Sequence, residues 1–151
     1  MAKEREILNS WVPLDFTYNY RVGIPLEKYI QGLAEGKLLA VTCSSCKKVV
    51  TPPRSICGIC NEKLDVWVEV GPEGTVENWT VGHVRLEKGE VKDNEAPTLI
   101  GMIKLDGATT LMPGIITGMK PEELTVGARV RAVFKAEPEG NVTDLDHFEP
   151  A

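Results

Sequence analysis

The sequence predicts a mainly β protein in three parts: an N-terminal helical arm over residues 1–37, a metal-held ribbon over 38–63 and a closed β-barrel over 64–151. Three observations predict it. Four cysteines, the only ones among 151 residues, fall into two Cys-x-x-Cys pairs. A short run of apolar residues at helical spacing precedes them. Short alternating segments with glycine-rich corners follow them.

Residues 1–24 have no clear period, although Phe16, Tyr18 and Tyr20 alternate as one face of an extended segment does. The next segment reads as a helix over about 25–35. Pro25 suits the first turn, and Leu26, Tyr29, Ile30 and Leu33 share one face. Gly36 can end the helix in a left-handed cap.

Leu38–Thr42 then leads as a strand into Cys43-x2-Cys46-x10-Cys57-x2-Cys60. Each pair presents two sulfurs from one tight turn, and ten intervening residues are enough for a hairpin that brings the pairs face to face. The pattern reads as a rubredoxin-like zinc ribbon. A closed set of four thiolates leaves no open coordination position, so the zinc is expected to be structural. Two readings stand beside it. Two disulfides are disfavoured because the N-terminus, MAKEREILNS, is charged and does not resemble a secretory signal. Iron is also suited by four thiolates. Rubredoxin knuckles usually carry glycine after the second cysteine, whereas Lys47 and Asn61 stand here; asparagine accepts a left-handed backbone more cheaply than lysine.

In Leu64–Val70 the residues Leu64, Val66, Val68 and Val70 share one face and Asp65, Trp67 and Glu69 the other, the pattern of a half-buried strand. Gly71-Pro72-Glu73-Gly74 is a turn, and Thr75–Leu86 a longer strand with a bulge expected at Gly82. Glu87–Pro97 reads as a loop. Thr98–Leu105, Thr109–Ile116 and Ala128–Ala136 are strands, and Val142–Phe148 is a final strand or an irregular tail. Five or six short strands in about 85 residues fit a small closed barrel of the OB type.

Charge is uneven. Cys43–Cys60 carries Lys47, Lys48 and Arg54 and no acid, whereas residues 61–151 hold 9 basic and 17 acidic side chains. Such a body repels nucleic acid, while a small anion finds a favourable field on the ribbon. No apolar stretch approaches the roughly 20 residues of a spanning helix, so a soluble protein is expected. Reduced, metal-ready cysteines point to the cytoplasm.

The order of these features resembles a family of zinc-ribbon and OB-fold proteins associated with acyl-CoA metabolism, long labelled a domain of unknown function. The resemblance rests on GLAEGKLL at 32–39, CSSC at 43–46, TPPR at 51–54, CGIC at 57–60, Trp67 and GPEG at 71–74. Trp79-Thr80-Val81, Pro97, Leu105-Asp106-Gly107 and Gly127 extend it, so that it covers about residues 26–135. Lys47 and Gly58 depart from the commoner glycine and proline of the knuckles. The resemblance implies a non-catalytic subunit that works beside a thiolase-fold enzyme, of the acetoacetyl-CoA thiolase or hydroxymethylglutaryl-CoA synthase type. It also implies an acyl-CoA site between the N-terminal helices, the ribbon and the barrel.

An acyl-CoA needs cations at its phosphorylated end and a narrow apolar channel for the rest. Arg54 is the candidate for a bidentate phosphate contact, with Lys47 and Lys48 as point charges; Tyr18, Tyr20 and Tyr29 are candidates for the channel wall or for stacking on adenine. The bland readings are solvated cations and packed aromatics. Trp67 suits a contact surface. His83 and His147 are the only histidines, no nucleophile or nucleotide-loop motif is present, and no catalysis is expected. The alternative reading is a single-stranded nucleic-acid module, for which Arg129, Arg131 and Lys135 form the one basic stripe. Only nine aromatics in the chain and the acidic barrel oppose it.

Overall fold

The structure, a computed structural model, describes residues 21–87 and 90–151. The expected alternation of Phe16, Tyr18 and Tyr20 lies outside the described residues.

Helix α1 (Gly23–Ala34) buries Tyr29, Gly32 and Leu33, the face that its spacing predicts. It ends as expected. Gly36 adopts φ +72° and donates to the Leu33 carbonyl, while Lys37 donates to the Gly32 carbonyl. These two bonds satisfy carbonyls that the last turn would otherwise leave free.

Strands β1 (Leu38–Thr42), β2 (Val49–Val50) and β3 (Val66–Val70) form an antiparallel sheet in the order β2-β1-β3. Val66–Val70, read from the sequence as part of the segment that opens the barrel, pairs along the whole of β1. Its predicted faces change with it. Val66 and Val68 are exposed, Val70 reaches the main core, and Trp67 packs half-buried against the ribbon. An edge strand shared between two small bodies has no single wet face, so alternation alone misassigns it.

The barrel comprises β4 (Glu73–Glu87), β5 (Glu90–Leu105), β6 (Met112–Ile116), β7 (Arg129–Phe134) and β8 (Leu145–Pro150). It closes in the order β4-β5-β6-β8-β7, with β7 returning to β4 and β6 running parallel to β8. This is the five-stranded OB connectivity. The loop expected over 87–97 is instead hairpin, with Val84 opposite Asp93 and Glu87 opposite Glu90. Polar composition misled there because the described side chains of this arm, at 83–85 and 91–93, are exposed, and an arm in water needs no apolar alternation. The bulge expected at Gly82 is present as a register shift between Gly82 and Val84.

One core joins α1, β1 and the barrel, from Tyr29, Leu33 and Leu38 to Ile103, Val130 and Phe148. A second, small one gathers Val41, Cys43, Val50, Cys57 and Leu64. So few apolar side chains hold a ribbon weakly by themselves, and a metal supplies what they lack.

Candidate functional site

The two Cys-x-x-Cys turns are built alike. Lys47 and Asn61 take left-handed backbones at φ 61° and 57°, and their amides donate to the Cys43 and Cys57 carbonyls at 2.9 and 3.1 Å. The amides of Cys43 and Cys57 in turn donate to the carbonyls of Lys48 and Glu62, both at 2.8 Å. Each turn thereby points two sulfurs at the other.

All four sulfurs lie within 4.8 Å of one another, with Cys43–Cys60 at 3.4 Å and Cys46–Cys57 at 3.6 Å. These separations exceed the ~2.05 Å of a disulfide. They fit a tetrahedral zinc, whose ~2.3 Å bonds place sulfurs about 3.8 Å apart. The electrostatics also ask for a cation. Amides of Cys60 and Ile59 hold the Cys57 thiol down to about 6, and the Cys46 amide lowers Cys43. At Cys60 the Glu62 amide pulls the same way, but the Cys43 sulfur, burial and the remaining thiols push it up to about 12. Four thiolates coexist only when a metal shares their charge.

Of the predicted ligand contacts, Lys48 and Arg54 are exposed, and their side chains make no hydrogen bond or ion pair among the described residues. They line a cleft of about 280 Å³ with Gly58 and Thr109. Lys47 is turned away from it, its Nζ donating to the Ser44 carbonyl at 2.7 Å. Tyr20 lies outside the described residues. Tyr29 is not free to stack on a ligand from solvent, because it is only 3% exposed. It walls a second, larger cleft.

That cleft, about 670 Å³, lies between α1 (Leu26, Tyr29), Pro52 of the ribbon, β6 (Met112–Ile115) and β8 (Leu145–Phe148). Its lining is mostly apolar. Polar groups stand at Lys135, Thr143, Asp146 and His147, with His147 Nδ1 2.8 Å from Asp146 Oδ2. Sequence reasoning missed Pro52, Met112, Phe148 and His147 as a group, and no local pattern announces them. The basic stripe is also altered by its surroundings. Arg129 is paired with Asp106 and Glu73, Arg131 with Glu149 and Lys135 with Glu139, so none offers a bare cation to a phosphate backbone.

A family model described as the ChsH2 rubredoxin-like zinc ribbon domain matches residues 31–63, and one described as the ChsH2 C-terminal OB-fold domain matches 67–135. A DUF35 domain-containing scaffold protein of Methanocaldococcus jannaschii is 32% identical over 99 residues, 65% of this chain and 67% of that protein. The chain belongs to the DUF35 family. Its four-cysteine module is the zinc ribbon of that family, and its barrel the OB-fold. The DUF35 fold recurs in a solved structure titled Ltp2-ChsH2(DUF35) aldolase, with a TM-score of 0.65 and 20% identity over 87% of this chain and 98% of that one. A DUF35-family protein of unknown function from Sulfolobus solfataricus superposes with a TM-score of 0.57 and 24% identity, over 71% of this chain and 75% of that one.

Proposed function

We propose that this DUF35 protein is a non-catalytic, cytoplasmic scaffold subunit that binds an acyl-CoA beside a thiolase-fold enzyme of acyl-CoA and lipid metabolism. Its zinc, held by Cys43, Cys46, Cys57 and Cys60, keeps the ribbon folded. The observation that carries the ligand reading is a series of neighbouring clefts. Arg54 is shared by the cationic cleft and a middle one, and Leu26 and Pro52 by the middle one and the large apolar cleft. A ligand charged at one end and apolar at the other suits that sequence.

In this reading Arg54 and Lys48 receive the phosphates, the Pro52-Pro53 wall guides the pantetheine arm, and the acyl group enters beside Tyr29. The scaffold description of the archaeal relative and the naming of a DUF35 chain within an aldolase support a subunit that accompanies an enzyme. No helix among the described residues is long and apolar enough to cross a membrane.

Calorimetric titration of CoA and acyl-CoA into the full chain tests the ligand, and Arg54→Ala tests the residue. Loss of one charge-assisted contact weakens binding by about tenfold or more. Unaltered affinity removes Arg54 from the site. Size-exclusion chromatography with purified acetoacetyl-CoA thiolase and hydroxymethylglutaryl-CoA synthase from the same organism tests the partner, and separate elution from both overturns it.

A further inference from the structure

The Tyr29 hydroxyl is buried without a hydrogen-bond partner, the only such side-chain atom among the described residues. The Thr51 hydroxyl stands close enough to act on the phenol, but it makes no well-formed hydrogen bond with it and donates instead to the Leu39 carbonyl at 3.4 Å. A buried donor left unmade is costly, and a fold keeps one where something else completes it. Tyr29 lines the 670 Å³ cleft, whose neighbouring walls, Leu26, Pro52, Met112 and Phe148, offer apolar surface.

We infer that the cleft takes an apolar ligand carrying a neutral carbonyl, whose oxygen accepts a hydrogen bond from Tyr29 Oη. The inference rests on the acyl-group reading above and adds the atom that is recognised. A carboxylate is disfavoured because its charge would be desolvated against these walls. The phenol remains a donor throughout the neutral range, since burial, opposed by Thr51, pushes it up to about 12. A site built for such a bond rejects the analogue that lacks it, because the donor then stays unpaired.

The test titrates an acyl-pantetheine thioester and the S-alkyl thioether of equal length, which lacks the carbonyl, into the wild-type chain and Tyr29→Phe. Wild type is expected to prefer the thioester by about tenfold, and the variant to bind both alike. Binding of both probes alike by both proteins overturns the hydrogen bond while leaving the acyl-group reading intact. If neither pantetheine binds, that reading fails, and alkan-2-ones against the matching 2-methyl-1-alkenes decide the inference separately: a Tyr29-dependent preference for the ketone sustains it, and its absence ends it. Tyr29→Phe should also leave the melting temperature of the free protein unchanged or raised, since no bond is lost. A fall would show that the hydroxyl already has a partner within the protein and would overturn the inference.

Discussion

The Thr110 hydroxyl accepts the Thr51 amide at 2.9 Å and donates back to the Thr51 carbonyl at 2.8 Å. Thr109 does the same for Val49 at 2.9 and 2.8 Å, and its own amide donates to the Val49 carbonyl. Two consecutive side chains of the β5–β6 connection thus cover the free edge of β2 and bind ribbon to barrel. Thr110→Val keeps the shape and removes both bonds, with an expected loss of about 1–2 kcal/mol. Thermal unfolding checks the loss. Hydrogen exchange should show it first at Val49–Thr51, and unchanged protection there would contradict the clamp.

Zinc removal should loosen the ribbon before the barrel. Cys57→Ser is expected to abolish zinc binding and to expose the Val41, Val50 and Leu64 cluster, while Ile103 and Phe148 stay protected. Metal analysis and hydrogen exchange read both effects. Unchanged zinc content and stability would remove Cys57 from the ligand set.

Asp144 is fully buried and accepts amides from Glu139, Gly140 and Asn141 at 2.8, 2.9 and 3.2 Å. The Glu139 amide first, then those of Gly140 and Asn141 and the Lys135 charge, hold its carboxyl below the usual range against the opposing effect of burial. A carboxyl depressed in the folded state contributes stability that is fully present above its unfolded value of about 3.9 and lost as pH falls through the folded value. Asp144→Asn should lower the melting temperature by several degrees near neutrality. The gap between variant and wild type should shrink on acidification below about pH 4, and a gap independent of pH would refute the assignment.

Arg129 grips Asp106 with both arms, Nη1–Oδ1 at 2.8 Å and Nη2–Oδ2 at 2.6 Å. That contact holds the Asp106 carboxyl below its ordinary value. In Arg129→Gln the Asp106 titration, followed by carboxyl carbon NMR, should move up toward the ordinary range. Stability should change little, because both side chains are about half exposed and screened by solvent.

A Cβ on Gly114 would lie 2.5 Å from Cε2 of Phe148, a ring with no exposure. Strands β6 and β8 meet at this point, so the ring has little room to retreat. Gly114→Ala should cost about 1–3 kcal/mol and alter the large cleft, which both residues line. Thermal unfolding beside Gly58→Ala, where the nearest atom is the mobile Arg54 guanidinium at 3.4 Å, separates crowding from the general effect of glycine replacement.

Much of this architecture is written locally. The cysteine spacing, the left-handed positions after each knuckle, the helix with its Gly36 stop and the alternation of Arg129–Phe134 are settled by residues a few positions apart, where backbone sterics and side-chain periodicity act directly. The metal cluster belongs to this class, because each turn fixes two sulfurs and one hairpin joins the turns. Residues far apart in the chain decide the rest. Val66–Val70 follows β1 rather than the barrel because pairing partners, not alternation, choose which face is wet. The stripe of Arg129, Arg131 and Lys135 reads as a nucleic-acid surface until Asp106, Glu149 and Glu139 are brought against it. The large cleft joins Leu26 to Phe148 across nearly the whole chain, and only closure of the barrel against the helix strands the Tyr29 hydroxyl beside it. Local chemistry selects the elements and the metal; packing over long sequence distances creates the cavity and determines which polar groups remain unmet.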